Sequence, residues 1–339
     1  MNKEVDLSKY QIRTDLTIEE LESNSKLKGV KSKSNRIGNI NITEVVLEEN
    51  NDLNRKKGTY ITLEFDDITD SENSNKVIKA LINVLKKIIK IKKNSYGLVV
   101  GLGNDKSTPD SLGPLTINNI IVTNHIFVLD ELSENYSRVS AINPGVMGET
   151  GIETSDIIES VVNKIKPEYL IIIDSLASRS IERLNKTIQI TDTGIHPGSG
   201  IGNKRKEISY DTLGIPVIAI GVPTVVDAAV IVSNTINYIY RNYEFNKNYT
   251  NKPKSKLTFN NVNYLNSDIK ENKAEKEKLL GLVGTLNEEE LETFIYEVLN
   301  PIGYNFMVTP KEIDFIIQKL SLVISNSINN VVHSIDKNY

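Results

Sequence analysis

Tyr169-Leu170-Ile171-Ile172-Ile173 is an unbroken apolar run that stops at an acid, Asp174, and Leu98 to Leu102 is a second such run, opening into a Gly-rich loop that delivers Asp110. Short runs that are apolar at every position do not alternate between core and water. They read as strands covered on both faces, with helices supplying the cover. This restricts the chain to an α/β sheet. In open sheets of that kind, ligands sit beyond the carboxyl ends of the strands, so acids at two such exits can face one pocket. Two carboxyls sharing a proton can split an amide: the ionised member activates water while the protonated member hydrogen-bonds the carbonyl oxygen.

The remaining pattern agrees with a mostly parallel or mixed twisted sheet with helices on both faces. Thr59 to Phe65 alternates as a strand, and Lys76 to Lys93 gathers Val77, Ile78, Leu81, Ile82, Leu85, Ile88 and Ile89 on one helical face. Further strands are expected at Ile126 to Leu129, Val139 to Ile142, Thr187 to Ile190 and Val217 to Ile220, with a helix over Thr154 to Ile165. Thr224 to Asp227 has capping-box spacing and is expected to open a helix running to about Tyr240. The first 50 residues read as a mobile arm with a short helix near Ile18 to Leu21 and a strand at Ile40 to Leu47. The basic run Lys26 to Arg36 reads as a solvated part of that arm. Residues 241–279, rich in Asn, Lys, Pro and Ser, read as a linker or surface excursion before two closing helices, one capped at Thr285 and the other at Thr309.

Composition removes several chemistries. The 339 residues include no Cys, so thiol nucleophiles, thiolate metal sites and disulfides are excluded. A net charge of −4 offers no general attraction to nucleic acid or anionic membrane. The absence of a long apolar span or an apolar leader leads to the expectation of a cytoplasmic protein without membrane contact. His125, His196 and His333 are widely separated and form no zincin motif, and no cofactor is expected.

Other motifs are less specific. Gly101-Leu102-Gly103-Asn104 lacks the third glycine of a dinucleotide fingerprint. Asp192-Thr193-Gly194 matches the triplet of all-β aspartic proteases but stands alone in an α/β context, where Asp192 is expected either in a turn or in support of the site. His196 and Ser199 lie in the Gly-rich segment 195–205, which is suited to close approach by a substrate backbone, and Ser199 lacks the Gly-x-Ser-x-Gly elbow of a nucleophile. Glu149 could add acidity to a pocket rim or charge to a helix entry.

Taken together, these segments resemble one family, the germination protease of spore-forming bacteria. The likeness rests on Gly101 to Asn104 with Thr108 to Pro114, on Pro144 to Gly148 with Thr150 to Thr154, on Asp174 to Asn185, Asp192 to Arg205 and Gly214 to Gly221, and on Met307 to Glu312. The resemblance implies an atypical aspartic endopeptidase that degrades the small acid-soluble proteins coating spore DNA during germination. It implies a fold like that of the hydrogenase maturation peptidases, a homotetramer, and a location in the forespore or spore core. It assigns the essential aspartates to Asp110 and Asp174. Gly103, Asn104, Glu149, Arg179, Asp192, His196 and Ser199 are then candidate substrate-loop or supporting residues. The family is made as a zymogen, and Arg13-Thr14-Asp15-Leu16 looks like its processing site. A propeptide of residues 1–15 is therefore expected, cut between Asp15 and Leu16, leaving 16–339 as one α/β domain with closing helices within 285–333. Ser175 stands where relatives often have Ala, which could add a hydrogen bond beside Asp174.

Three other readings compete. A metal-assisted endopeptidase of the hydrogenase-maturation type would be sensitive to chelators. A peptidyl-tRNA hydrolase would need a basic surface and a catalytic His. A non-catalytic binding module would be indifferent to loss of either acid.

Overall fold

The computed structural model describes residues 14–22, 27–89, 95–127, 129, 136–196, 206–250, 272–299 and 306–333. In chain order the elements are α1 (Thr17–Glu22), β1 (Val30–Ile37), β2 (Ile40–Leu47), β3 (Gly58–Glu64), α2 (Ser71–Ile88), β4 (Gly97–Gly101), α3 (Leu112–Ile117), α4 (Asn124–Phe127), β5 (Val139–Ile142), α5 (Met147–Thr150) and α6 (Thr154–Ile165). They continue with β6 (Tyr169–Ser178), β7 (Thr187–Thr191), α7 (Tyr210–Leu213), β8 (Val217–Asp227), α8 (Ala228–Thr250), α9 (Lys273–Leu280), α10 (Glu288–Leu299), β9 (Met307–Val308) and α11 (Ile313–Val332). By its contacts the chain divides into two compact units, one holding Asp227–Val308 and the other holding Arg13–Val226 with Thr309–Tyr339.

The larger unit is built on a mixed sheet with the strand order β1-β2-β3-β7-β8-β6-β4-β5. β8, β6, β4 and β5 run parallel to one another, while β7 is antiparallel to both β8 and β3. Side-chain alternation assigns the faces. Ile171 and Ile173 join a core with Ile188, Ile190, Ile218, Ile220 and Val222, closed by α2 (Val77, Leu81, Leu85) and α11 (Ile317, Leu320, Ile324, Ile328). Leu170 and Ile172 face the other side with Leu98, Val100 and Leu102, under Ile158 and Val162 of α6. Helices therefore cover both faces, as the apolar runs required. Local chemistry sets the helix limits. Asp70 caps α2 by accepting from Asn73 N at 2.8 Å, and α6 ends at Lys166, left-handed at φ 51°, just before Pro167.

Several expectations are corrected. The basic run is not an arm: Val30–Ile37 is a strand paired along its length with β2, turned by Gly38 at φ 62° and Asn39. Its burial is slight, so it carries no apolar signature in the sequence. Ile126 to Leu129 is not a strand. Asn124–Phe127 is a helical turn closed by Phe127 N on Thr123 O at 2.9 Å, an ambiguity inherent in short apolar runs. Thr224 caps nothing, because β8 continues through it to Asp227, and Asp227 accepts from Ala229 N at 2.7 Å at the head of α8. Burial holds that Asp227 carboxyl above its usual range, against the opposing effect of the Ala229 amide.

In the smaller unit, α8 runs through to Thr250 and α9 covers Lys273–Leu280, so both ends of the stretch read as a linker at 241–279 are helical. Residues 251–271 lie outside the described residues. α10 is capped by Asn287 and Glu290 in a reciprocal box, with Glu290 N on Asn287 Oδ1 and Asn287 N on Glu290 Oε2, both at 2.9 Å, rather than by Thr285. Leu291 and Ile295 of α10 pack on Ala229 of α8. In the larger unit Thr309 donates to Thr224 O at 2.8 Å instead of capping α11, which starts after Glu312.

His333, at the end of α11, is buried with its Nε2 2.8 Å from Ile121 O. Burial depresses its pKa, against the carbonyls of Ile121 and Ser137, which favour the cation. The unfolded chain takes up this proton near pH 6.5 and the folded chain only at lower pH, so His333 stabilises fully above about pH 6.5 and loses that contribution as pH falls. The thermal midpoint should therefore drop more between pH 7.5 and 5.5 in the parent chain than in His333→Gln. Equal drops would remove this assignment.

Candidate active site

β4 stops at Gly101, opposite Ile173 of β6, and Leu102 N continues the ladder with a 2.8 Å bond to Ile173 O. β6 does not end at the acid, as the sequence suggested. It runs on to Ser178, because β8 continues alongside and keeps pairing with it: Asp174 opposes Gly221, and Ser178 opposes Val226. Asp174 therefore lies inside a strand, one residue past the point where its other neighbour gives out. Only 6 % of it is exposed, and its Oδ1 accepts from Ser175 N at 2.9 Å. By alternation it lies on the face of β6 that carries Leu170 and Ile172.

The loop leaving β4 fills the notch beside that extension. Its 3-10 turn, Thr108–Asp110, contacts β6, with Pro109 at the second position of the turn. Asn104 N donates to both the backbone oxygen of Asp110, at 3.1 Å, and its Oδ2, at 3.0 Å, while Asn104 Oδ1 accepts from Lys106 N at 2.8 Å. The close return of the loop is possible because residue 103 is glycine: its φ is +110°, and a Cβ there would lie 2.0 Å from Asp110 O and 3.0 Å from Asp110 Oδ1. Gly101 and Gly113 are similarly pressed together, letting α3 seat against β4. Asp174 thus lies in β6, and Asp110 in the loop that follows β4, the neighbouring parallel strand, at the same carboxyl-terminal end. Glu149 is held at the rim of this loop through Lys106 Nζ at 2.9 Å.

Other candidates lie elsewhere. Asp192 follows β7, which runs the opposite way: Thr191 is level with Ala219, so Asp192 is displaced toward the amino ends of the parallel strands. There its Oδ1 accepts from Thr59 N at 2.7 Å, one position beyond the last paired residues of β7 and β3. His196 is exposed just past the bridge between Ile195 and Ile208. Ser199 lies outside the described residues. Ser175 Oγ is buried with no partner among the described residues, so its hydroxyl does not supply the hydrogen bond anticipated beside Asp174; its backbone N–H does.

The segment around Asp15 and Leu16 docks on the face that carries Asp174. Asp15 N donates to Ala177 O at 3.2 Å, and Ala177 N donates to Asp15 Oδ2 at 2.9 Å. Leu16 is fully buried against Leu176 and Ile18, with Ile195 alongside. Gln189 grips the backbone on both sides of Leu16, its Nε2 on Asp15 O at 2.9 Å and its Oε1 on Thr17 N at 2.7 Å. Arg55 adds Nη1 to Asp15 O at 3.1 Å and Nη2 to Thr14 O at 2.9 Å. Sequence reading passed over Gln189, Arg55 and Glu19. The available signal was a Gln set between Ile188 and Ile190 in the strand Thr187–Thr191, a large amide that a buried strand retains only with partners. Among the described residues no group of three or more His, Asp and Glu side chains is placed to hold a metal ion, and no helix is long and apolar enough to cross a membrane.

Comparison with known proteins fits this geometry to a family. The sequence family described as germination protease matches residues 8–338. Germination proteases from a Geobacillus species (44% identical), Priestia megaterium (45%) and Bacillus cereus (45%) each align over 98% of this chain and 96% of their own length. Among solved structures, a NiFe hydrogenase maturation protease, HycI, from Thermococcus kodakarensis aligns with 42% of this chain and 80% of its own at 17% identity and a TM-score of 0.29, a likeness too slight to carry an argument. With full-length agreement at this identity, the chain belongs to the germination protease family and is a protease.

Proposed function

We propose that this protease is an endopeptidase of atypical aspartic type in which Asp110 and Asp174 act as one acid/base pair, the ionised carboxylate activating a water and the protonated one polarising the scissile carbonyl. The observation that supports this reading is that β4 stops opposite Ile173, the residue before Asp174, and that the turn holding Asp110 contacts β6. Its substrates are the small acid-soluble proteins that coat spore DNA, degraded at germination in the spore core. The working form is a homotetramer. The chain is made as a zymogen whose residues 1–15 are removed by a cut between Asp15 and Leu16.

In the present arrangement Asp15 pairs with Ala177, three residues beyond Asp174, so its peptide bond stands ~10 Å along the strand from the acid. The segment is docked here rather than presented for cutting, and processing requires that it leave β6.

The test is digestion of a purified small acid-soluble protein by enzyme carrying Asp110→Asn or Asp174→Asn, with residues 1–15 removed at an engineered site by an added protease, since an inactive variant cannot process itself. Both variants should fold and neither should digest. Native rates in both would end the aspartic reading, and rates abolished by a chelator in the parent would replace it with a metal-assisted one. N-terminal sequencing of the processed chain should read Leu16 first, and an intact Met1 would remove the zymogen.

A further inference from the structure

Leu16 occupies the cap position of α1, with its carbonyl accepting from Glu19 N at 3.3 Å, and Glu19 stands three residues on. That is the spacing at which a Glu side chain turns back to the backbone N–H of the cap residue. In the intact chain the bond is not direct, because Thr14 is interposed. Leu16 N donates to Thr14 Oγ1 at 3.0 Å, and Thr14 Oγ1 is hydrogen-bonded to the Glu19 carboxylate. Glu19 is buried, and its oxygens also accept from Ser178 Oγ at 2.6 Å and Arg179 N at 2.8 Å, at the outgoing end of the strand that carries Asp174. Arg183 is shared chiefly by Glu22, at 2.6 Å, and Glu64, at 2.9 Å, with Glu19 standing off at 3.9 Å.

We infer that cleavage before Leu16 creates a latch: the new α-ammonium of Leu16 takes the Glu19 carboxylate directly, and Glu19 thereby becomes a positioning residue that fixes Ser178 and Arg179 behind Asp174. This rests on the cut proposed above. Removal of residues 1–15 takes away the Thr14 hydroxyl that separates the two groups. It also converts a neutral N–H into a cation beside a buried carboxylate, so a relay through a neutral hydroxyl gives way to a direct ion pair. The burial of Leu16 beside Leu176 keeps the new terminus at this place after Asp15 has gone. The same event releases the main-chain groups of Ala177 from Asp15, while the neighbouring turn is held from its other side by Glu19.

The experiment separates the latch from the site of natural processing. In the full-length chain, residues 12–15 are replaced by the factor Xa sequence Ile-Glu-Gly-Arg, so that factor Xa leaves Leu16 as the first residue. A second version carries one extra Gly before Leu16, and both are made with Glu19 and with Glu19→Gln. The Leu16 terminus should melt about 3 °C or more above the Gly-extended one in the Glu19 background, and the two should coincide in Glu19→Gln. Turnover number should follow the same pattern. A Glu19 with only a structural role would lower both termini equally. A terminus effect that is absent in the Glu19 background, persists in Glu19→Gln, or appears in melting without turnover overturns the inference, whereas self-processing at another bond bears only on the cut itself.

Discussion

Asp174→Asn is expected to fold as the parent chain does and to lose at least about a hundredfold in proteolytic turnover, the lower end of what a positioned acid or base contributes. The fold should survive because asparagine has nearly the same volume. It also keeps an oxygen for Ser175 N, the bond that orients this side chain within β6. The strand itself is held by main-chain pairing to Gly221 of β8 and by the Ile171 and Ile173 contacts on the opposite face, none of which involves the carboxylate. An amide, however, cannot exchange a proton with water or a leaving amine. The measurement is paired: thermal denaturation to establish that the variant is folded, and digestion of a protein substrate to establish that it is inert. A folded variant with undiminished turnover would mean that Asp174 is a structural residue of the strand.

Gly103→Ala should be the most damaging single-methyl change in the loop. The φ of +110° already disfavours any L side chain, and the new carbon would lie 2.0 Å from a backbone oxygen that is not free to yield, since Asp110 O is held by Asn104 N. Backbone in such a region costs on the order of 1–3 kcal/mol before the clash is counted. The relief available is to push the Thr108–Asp110 turn away from β6. Loss of activity should therefore accompany a lowered thermal midpoint, unlike the asparagine variants, which lose activity alone. Gly148→Ala is the control: a Cβ there meets nothing within 4 Å, so activity and midpoint should be unchanged. If Gly103→Ala matches Gly148→Ala, the close return of the loop is not what holds Asp110.

The two buried strands and their acids were legible because continuous apolar runs have few other uses, and α6 and α2 were legible because their apolar residues recur at helical spacing. What escaped was structure made without apolar residues. β1 is a paired strand with almost no buried side chain, so Lys31, Ser32 and Lys33 gave only the appearance of a polar arm. The length of β6 was missed for a related reason. Asp174 looks like the end of a strand when pairing is judged by hydrophobicity, but the ladder to β8 is a main-chain matter and passes through an acid when its neighbour is Gly221. Docking of Asp15 and Leu16 was illegible because it depends on Gln189 and Arg55, which are distant in sequence and meet that segment only in the folded chain.

The outermost strand has a consequence for how such a protein behaves at high concentration. A sheet edge is an open template for another chain, and an eight-residue edge is long enough to be recruited. Here Lys31, Lys33 and Arg36 are spread along that rim, so a second copy approaching it edge to edge would bring like charges together. The same residues that hid β1 in the sequence thus protect it against runaway strand addition, and replacing them with threonine would turn a guarded border into a site for aggregation.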